Sequence, residues 1–66
     1  MGYKLKEARE EARLTQQQLA DKSGVSRVTI GALENGIDKN VTLGTLRKLA
    51  VALNKTVSEI FFEENA

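Results

Sequence analysis

Apolar residues recur every three or four positions along most of the 66-residue chain, and they do not alternate with polar residues for long. This spacing is typical of α-helices that bury one face, whereas alternation would indicate β-strands. Residues that start helices divide the pattern into five segments. The predicted helices begin at or near Lys4, Thr15, Ser26, Thr42 and Thr56. We therefore predict an all-α chain of five short helices, the first of which ends near Arg13.

Capping signals fix the ends of the two central helices and the start of the last one. The segments TQQQ at 15–18 and TVSE at 56–59 have the spacing of a capping box, in which two side chains each satisfy a backbone N–H at the start of a helix. Gly24 and the pair Asn35-Gly36 are typical of helix ends, because they tolerate a left-handed conformation. Residues 15–36 therefore predict two short helices joined by a tight turn at Ser23-Gly24.

The apolar positions also predict which side of each helix is buried. Leu5, Ala8 and Ala12 share one face of the first helix, and Ile30 and Leu33 lie together on the third. The fourth helix is expected to turn inward Leu43, Leu46, Leu49, Ala50 and Leu53. A chain this short holds one small core at most, so we predict a single domain over residues 1–66.

The opposite face of the third helix carries Val28, Gly31, Ala32 and Asn35, with Arg27 on its flank, although an exposed helix surface usually carries Lys, Glu and Gln. A glycine inside a helix costs about 1 kcal/mol relative to alanine, so these small residues favour a surface that a partner approaches closely. In the major groove of DNA, Val28 can contact a thymine methyl group and Arg27 can donate two hydrogen bonds to a guanine. Alternatively, Val28 and Ala32 contact another helix of the same domain and Gly31 is incidental.

The first turn of the second helix predicts a phosphate site. Its backbone N–H groups lack partners within the helix, and the helix dipole is positive at this end. Thr15, Gln16 and Gln17 lie there and can add hydrogen bonds without adding charge. For Gln17, an ordinary solvated side chain is an equally good interpretation.

The composition excludes several classes of function. The chain contains neither Cys nor His, so we expect no disulfide, no usual zinc site and no Ser-His or Cys-His nucleophile. It also has no obvious carboxylate cluster or phosphate-binding loop, so we expect no enzymatic activity, no metal and no cofactor. No apolar run approaches the roughly 20 residues that span a membrane, and no signal peptide opens the chain, so we expect a cytoplasmic protein.

Charge is distributed unevenly along the chain, although its net value is only +1. Residues 1–55 contain all ten Lys and Arg and six acids, a net charge of +4, whereas residues 56–66 contain three Glu, a net charge of −3. This asymmetry would orient the molecule against a polyanion. An ordinary solvated surface is the alternative interpretation, and charge alone does not decide between the two.

Two stretches of sequence resemble a known family. LTQQQLADKSGVSRVTIGALENG at 14–36, followed by TLGTLRKLAVALNKTVSEIF at 42–61, is similar to the five-helix DNA-binding domain of phage repressors, Cro proteins and their bacterial relatives, the XRE-type helix-turn-helix. The resemblance covers nearly the whole chain, from about Leu5 to Phe62. It implies a lambda-repressor-like fold in which the second and third helices form the helix-turn-helix, at about 15–36.

The resemblance also implies roles for individual residues. The glutamine that opens the second helix and contacts phosphate in the family is Gln16 here. The base-reading positions of the third helix fall on Ser26, Arg27, Val28 and Ala32. The phosphate-contacting positions beside and after that helix fall on Thr29, Asn35, Lys39, Asn40 and Thr42. Asp38 stands where relatives often carry Lys or Arg, so we expect weaker non-specific binding.

Some relatives pair an arginine of the first helix with the glutamate of the L-E-N-G motif, and Arg9 and Glu34 match those positions. We predict a partly buried ion pair that braces the third helix against the first and leaves Arg9 able to contact a phosphate. Removing one partner of such a pair strands the other. Glu34 is therefore interpreted as structural and not as a base reader.

The family resemblance implies a homodimer, because one such domain reads few base pairs and a two-fold dimer spaces two recognition helices about 34 Å apart. We expect the dimer surface in the C-terminal helices, at about 42–62, and there at Ile60, Phe61 and Phe62, since a small domain rarely hides three such neighbours. Ile60 or Phe61 is expected to close the core, so Phe62, with help from the fourth and fifth helices, is the main candidate. Alternatively, all three pack internally. The implied function is sequence-specific binding of double-stranded DNA at a palindromic operator by a bacterial or phage transcriptional regulator, most simply a repressor. Two alternatives are an antitoxin-like protein whose main partner is another protein, and an interaction module that has lost DNA binding.

Overall fold

Five α-helices follow one another in a computed structural model that describes residues 3–37 and 41–61, and no strand occurs among those residues. The helices are α1 (Leu5–Glu11), α2 (Gln16–Ser23), α3 (Arg27–Glu34), α4 (Leu43–Ala52) and α5 (Val57–Phe61). The prediction of an all-α, five-helix fold is therefore confirmed. None of the described helices combines the length and the apolar character needed to cross a membrane.

The helix ends follow the local signals in the sequence. At the start of α2, the Gln18 N–H donates to Thr15 Oγ1 over 3.0 Å, and the Thr15 N–H donates to Gln18 Oε1 over 2.8 Å. The same reciprocal bonds join Thr56 and Glu59 ahead of α5, at 3.1 and 2.8 Å. Gly24 ends α2 with a φ of +78°, a conformation that glycine adopts without strain. These contacts fix both ends of α2 and the start of α5.

Every helix contributes at least one fully buried side chain to a shared core. These residues are Leu5, Leu19, Ile30, Leu33, Leu49 and Ile60. Burying one such side chain contributes roughly 1.5–3 kcal/mol, so six of them dominate the stability of a chain of this size. Ile30 and Leu33 hold α3 by its inner face and leave the opposite face to solvent.

Two residues that the periodicity placed inside are exposed. Leu43 is 66% exposed, because at 100° per residue it lies about 60° from Leu46 and about 120° from Leu49, off the buried stripe of α4. Ala12 is exposed because α1 ends at Glu11 and the chain turns away at Arg13, whose φ is +60°. Helical periodicity therefore failed at the first turn of one helix and past the last turn of another.

The C-terminal helix closes the core, which corrects part of the expected dimer surface. Ile60 and Phe61 are only 2% and 5% exposed, so the expectation that they form an interface between copies is wrong. The Lys4 N–H donates to the Ile60 carbonyl over 2.9 Å, and the Tyr3 ring packs edge-on against Phe61 with centroids 5.0 Å apart. The segment before α1 supplies the cover that periodicity could not anticipate. Phe62 lies outside the described residues.

Candidate nucleic-acid interface

The turn between α2 and α3 fixes how the third helix is presented. After Gly24, Val25 is buried and its N–H donates to Ser23 Oγ over 3.1 Å. Ser26 then caps α3, with its Oγ accepting the Thr29 N–H over 3.1 Å. Because both the turn and the cap are hydrogen-bonded locally, α3 is held at its first turn as well as by its buried face.

The outer face of α3 carries few side chains that are free to bind a partner. Arg27 is exposed and Val28 is 74% exposed, so both are available to a groove that receives the helix. Ala32 and Thr29 are half-buried. Ser26 is exposed, but its hydroxyl donates to Thr29 Oγ1 over 3.1 Å in addition to capping the helix. Arg27 and Val28 are therefore the best-placed base readers of the predicted set.

A single carboxylate, that of Glu34, joins α1, α2 and α3. The predicted ion pair is present and bidentate, because Arg9 Nε lies 2.7 Å from Glu34 Oε2 and Arg9 Nη2 lies 3.1 Å from Oε1. Gln16 Nε2 donates to the same Oε1 over 3.0 Å, and Arg9 Nη1 donates to the Leu14 carbonyl over 2.8 Å. We call this group of four residues the Glu34 node.

The Glu34 node is largely shielded from solvent. The side chains of Arg9 and Glu34 are 11% and 4% exposed, and three N–H groups of Arg9 already donate within the protein. The geometry thus gives Arg9 a bracing role, while its expected phosphate contact stays a prediction. The bond from Gln16 was not predicted, because nothing in the local pattern shows that the start of α2 meets the end of α3.

Charges at the node shift both pKa values. The hydrogen bond to Glu34 is the main reason that the pKa of Arg9 lies above its ordinary value, although burial opposes the shift. Burial raises the pKa of Glu34, but hydrogen bonds from Arg9 and Gln16 and the positive charge of Arg9 outweigh it, so that pKa lies below its ordinary value of 4.5. Both shifts favour the charged pair.

Acid is expected to destabilise the fold through the carboxylates of Glu34 and Glu59. A folded-state pKa below the unfolded value means that stability is fully present above about pH 4.5 and is lost as the pH falls through the lowered pKa of Glu34. Glu59, hydrogen-bonded to the Thr56 backbone, acts in the same direction. Urea denaturation at a series of pH values should show the loss, and a Glu59→Gln variant should retain the part due to Glu34. Stability that stays level or rises on acidification would contradict this assignment.

Gly31 lies beside the Gln16 side chain. A Cβ built on Gly31 would be 3.8 Å from Gln16 Nε2 and 3.9 Å from Gln16 Oε1, which is ordinary van der Waals contact. Space therefore does not demand glycine here, although a glycine inside a helix is costly. A bare backbone at this position is consistent with close approach of a groove to α3.

Replacing Gly31 by alanine is expected to stabilise the protein and to weaken specific DNA binding. The helix gains about 1 kcal/mol, which raises the melting temperature of a chain this size by roughly 4–8 °C. The added methyl group would keep a DNA groove farther from the backbone of α3, which weakens binding. Thermal denaturation measures the change in stability, and titration with a duplex that the protein binds measures the change in affinity. A lower melting temperature would show that the Gln16 contact does not tolerate the methyl group.

The predicted phosphate contacts fall into three groups. Thr15 and Thr42 are exposed helix caps, and Thr42 Oγ1 accepts the Thr45 N–H over 3.2 Å. Gln17 donates to Asp21 over 2.9 Å, and Asn35 is exposed at the end of α3. Lys39 and Asn40 lie outside the described residues, as does Asp38. Of these residues, Thr15 and Gln17 lie at the start of α2, Asn35 at the end of α3 and Thr42 at the start of α4.

Metal ligands do not cluster in the part of the chain that the structure describes. No three Asp or Glu side chains there are close enough together to hold an ion. The chain as a whole lacks His and Cys, the ligands that zinc prefers.

Comparison with known proteins places these features in context. The family model described as "Helix-turn-helix" matches residues 5–60. Control protein C.SmaI of Serratia marcescens is 49% identical over 47 residues, which make up 71% of this chain and 55% of that protein. A chain of the solved SinR protein/SinI protein complex is similar with a TM-score of 0.77 and 25% identity, over 83% of this chain and 53% of that one. The chain thus spans about half the length of each of these two proteins.

Proposed function

The chain belongs to the XRE-type helix-turn-helix family of DNA-binding transcriptional regulators, and on that premise we propose that it binds a palindromic operator as a homodimer and represses transcription by occupying it. Bacterial or phage DNA in the cytoplasm is the proposed target. The observation that carries the proposal is the outer face of α3. Arg27 and Val28 are exposed there, while Ile30 and Leu33 have no exposed surface on the other side.

Energetics favour a dimer over a monomer. One bidentate contact between arginine and guanine gives about 1–3 kcal/mol of discrimination, which is too little to select one site among the many in a genome. A two-fold dimer repeats every contact in a second half-site. Its two recognition helices then fit half-sites whose centres are about 34 Å, or one helical turn, apart.

Selection of bound duplexes from a random pool tests this function most directly. Enrichment of a two-fold symmetric sequence, with half-sites spaced by about one helical turn, is the expected result. The Arg27→Ala variant, selected in parallel, should enrich a motif that is relaxed at one position of each half-site. A pool in which no sequence is enriched by the intact protein would reject sequence-specific binding.

Phe62→Asp is expected to convert the homodimer to monomers. Ile60 and Phe61 are buried within the chain, so Phe62 is the remaining member of the apolar trio proposed for the contact between copies. Sedimentation equilibrium measures the change in mass. Val28→Asp is the matched control, because Val28 is an exposed apolar residue on α3, outside the C-terminal helices proposed for the dimer surface, and its replacement should leave the dimer intact. A dimer that survives Phe62→Asp would place the interface elsewhere.

A protein partner is the second candidate function. The similar solved chain belongs to a complex of two proteins, SinR and SinI, which supports an assembly with a protein partner. In this candidate the partner is the main ligand, and DNA binding serves autoregulation. Binding of a co-encoded protein would favour this candidate. Tight binding of a palindrome by the isolated chain would favour the repressor. An affinity for DNA that falls steeply as the salt concentration rises would separate both candidates from an interaction module that has lost DNA binding.

A further inference from the structure

A shallow groove of about 400 Å³ lies between the end of α2 and the outer face of α4. The residues that line it are Lys22, Ser23, Arg47, Lys48, Val51 and Ala52. None of them belongs to the predicted DNA-reading set or to the Glu34 node. Its volume falls within the range of about 300–1,000 Å³ that is usual for binding pockets. The groove therefore needs an explanation separate from the recognition helix.

Three positive side chains line this groove. Lys22 comes from α2, and Arg47 and Lys48 come from α4. No acid lines the groove, and within residues 3–37 and 41–61 none of these three cations takes part in an ion pair. Like charges held around one cavity repel one another, and an anionic ligand would remove that repulsion.

An exposed valine lies among these charges. Val51 is 72% exposed and follows Arg47 and Lys48 by about one helical turn, so the three side chains share one side of α4. Valine is a mediocre helix former, and at this position it gains little from burial. A partner that brings an apolar side chain to Val51 would remove both surfaces from water.

We propose that this groove binds an acidic peptide segment of a partner protein, in which an apolar side chain flanked by carboxylates contacts Val51. The carboxylates pair with Lys22, Arg47 and Lys48. A phosphate backbone would satisfy the same cations but offers no apolar group, so it leaves Val51 in water. The combination of charge and exposed apolar surface therefore favours a peptide over DNA.

A fluorescent peptide of sequence Asp-Asp-Leu-Asp-Asp, held between Gly-Ser flanks, is the probe. Fluorescence anisotropy with the full chain should show binding that weakens about fivefold when the leucine is replaced by serine. Val51→Ser and Lys48→Gln should each weaken binding of the leucine peptide by about threefold to fivefold. Arg13→Gln removes an exposed cation remote in sequence from the groove and should leave binding unchanged.

Three results would overturn the proposal. Equal binding of the leucine and serine peptides would mean that charge alone attracts the probe. If Lys48→Gln weakens binding of duplex DNA and Val51→Ser alters binding of neither the DNA nor the peptide, the groove is assigned to phosphate. Stronger binding of a peptide with the sequence of residues 61–66, FFEENA, would assign it to the acidic segment of a second copy. None of these outcomes depends on whether the chain prefers a palindrome.

Discussion

Arg9→Ala is expected to lower the free energy of unfolding by about 3–5 kcal/mol, the usual effect of removing one partner from a buried ion pair. A chain of 66 residues is stable by only about 3–10 kcal/mol, so this loss would remove a large part of its stability. The cause is the stranded carboxylate of Glu34, whose side chain is 4% exposed, together with the Leu14 carbonyl that loses its donor. Urea denaturation followed by circular dichroism measures the change.

Two further variants test whether the loss of stability arises because the ion pair is buried and because Glu34 is left without a partner. Lys55 and Glu11 form an exposed pair at 3.9 Å, so Glu11→Ala should change stability by less than about 1 kcal/mol. The double variant Arg9→Met with Glu34→Leu leaves no stranded charge and should be more stable than Arg9→Ala. If Arg9→Ala proves as stable as Glu11→Ala, the Glu34 node does not brace the fold.

Arg27→Ala is expected to weaken binding to the selected operator by about 1–3 kcal/mol per half-site, which is roughly a 5- to 150-fold loss for each of the two half-sites. The effect arises from loss of a two-pronged hydrogen bond to one base, so preference should relax at a single position of each half-site. Arg27 is exposed in the first turn of α3, and its removal should leave the melting temperature nearly unchanged. Titrations against the operator and its single-base variants give both the affinity and the position affected.

Arg27→Lys is the matched control, because it keeps the positive charge and loses the planar fork of donors. It should retain most non-specific affinity and still relax the base preference. A phosphate-contacting role for Arg27 predicts the reverse, with the preference intact and a shallower dependence on salt in Arg27→Ala. An Arg27→Ala protein with unchanged sequence preference would remove this residue from the reading face.

The helices and their caps could be predicted from the sequence because each depends on residues within one turn. The spacing of Thr15 and Gln18, the left-handed Gly24 and the buried pair of Ile30 and Leu33 all reappear in the structure. Periodicity failed for Leu43 because this residue lies about 120° from Leu49 around α4, off the buried stripe of that helix. Contacts between different helices could not be predicted from the spacing of residues along the chain.

The candidate site was predictable where the family resemblance carried it and not beyond. The pairing of Arg9 with Glu34 was expected by position, but the third contact, from Gln16, depends on how two helices meet across 18 residues of sequence. Burial of Phe61 depends on Tyr3, far away in the chain, so no local pattern could show it. The groove beside Val51 likewise arises only when α2 and α4 are brought together.

The single carboxylate shared by three helices has a consequence for genetics. Glu34 supports the scaffold through Arg9 and steadies the amide of Gln16 at the predicted phosphate contact. In a screen for mutants that no longer regulate, alleles at these three codons should therefore score alike. Growth at low temperature would distinguish the two kinds of defect. A mutant that folds poorly recovers regulation in the cold, whereas a mutant that lacks a contact to the operator does not.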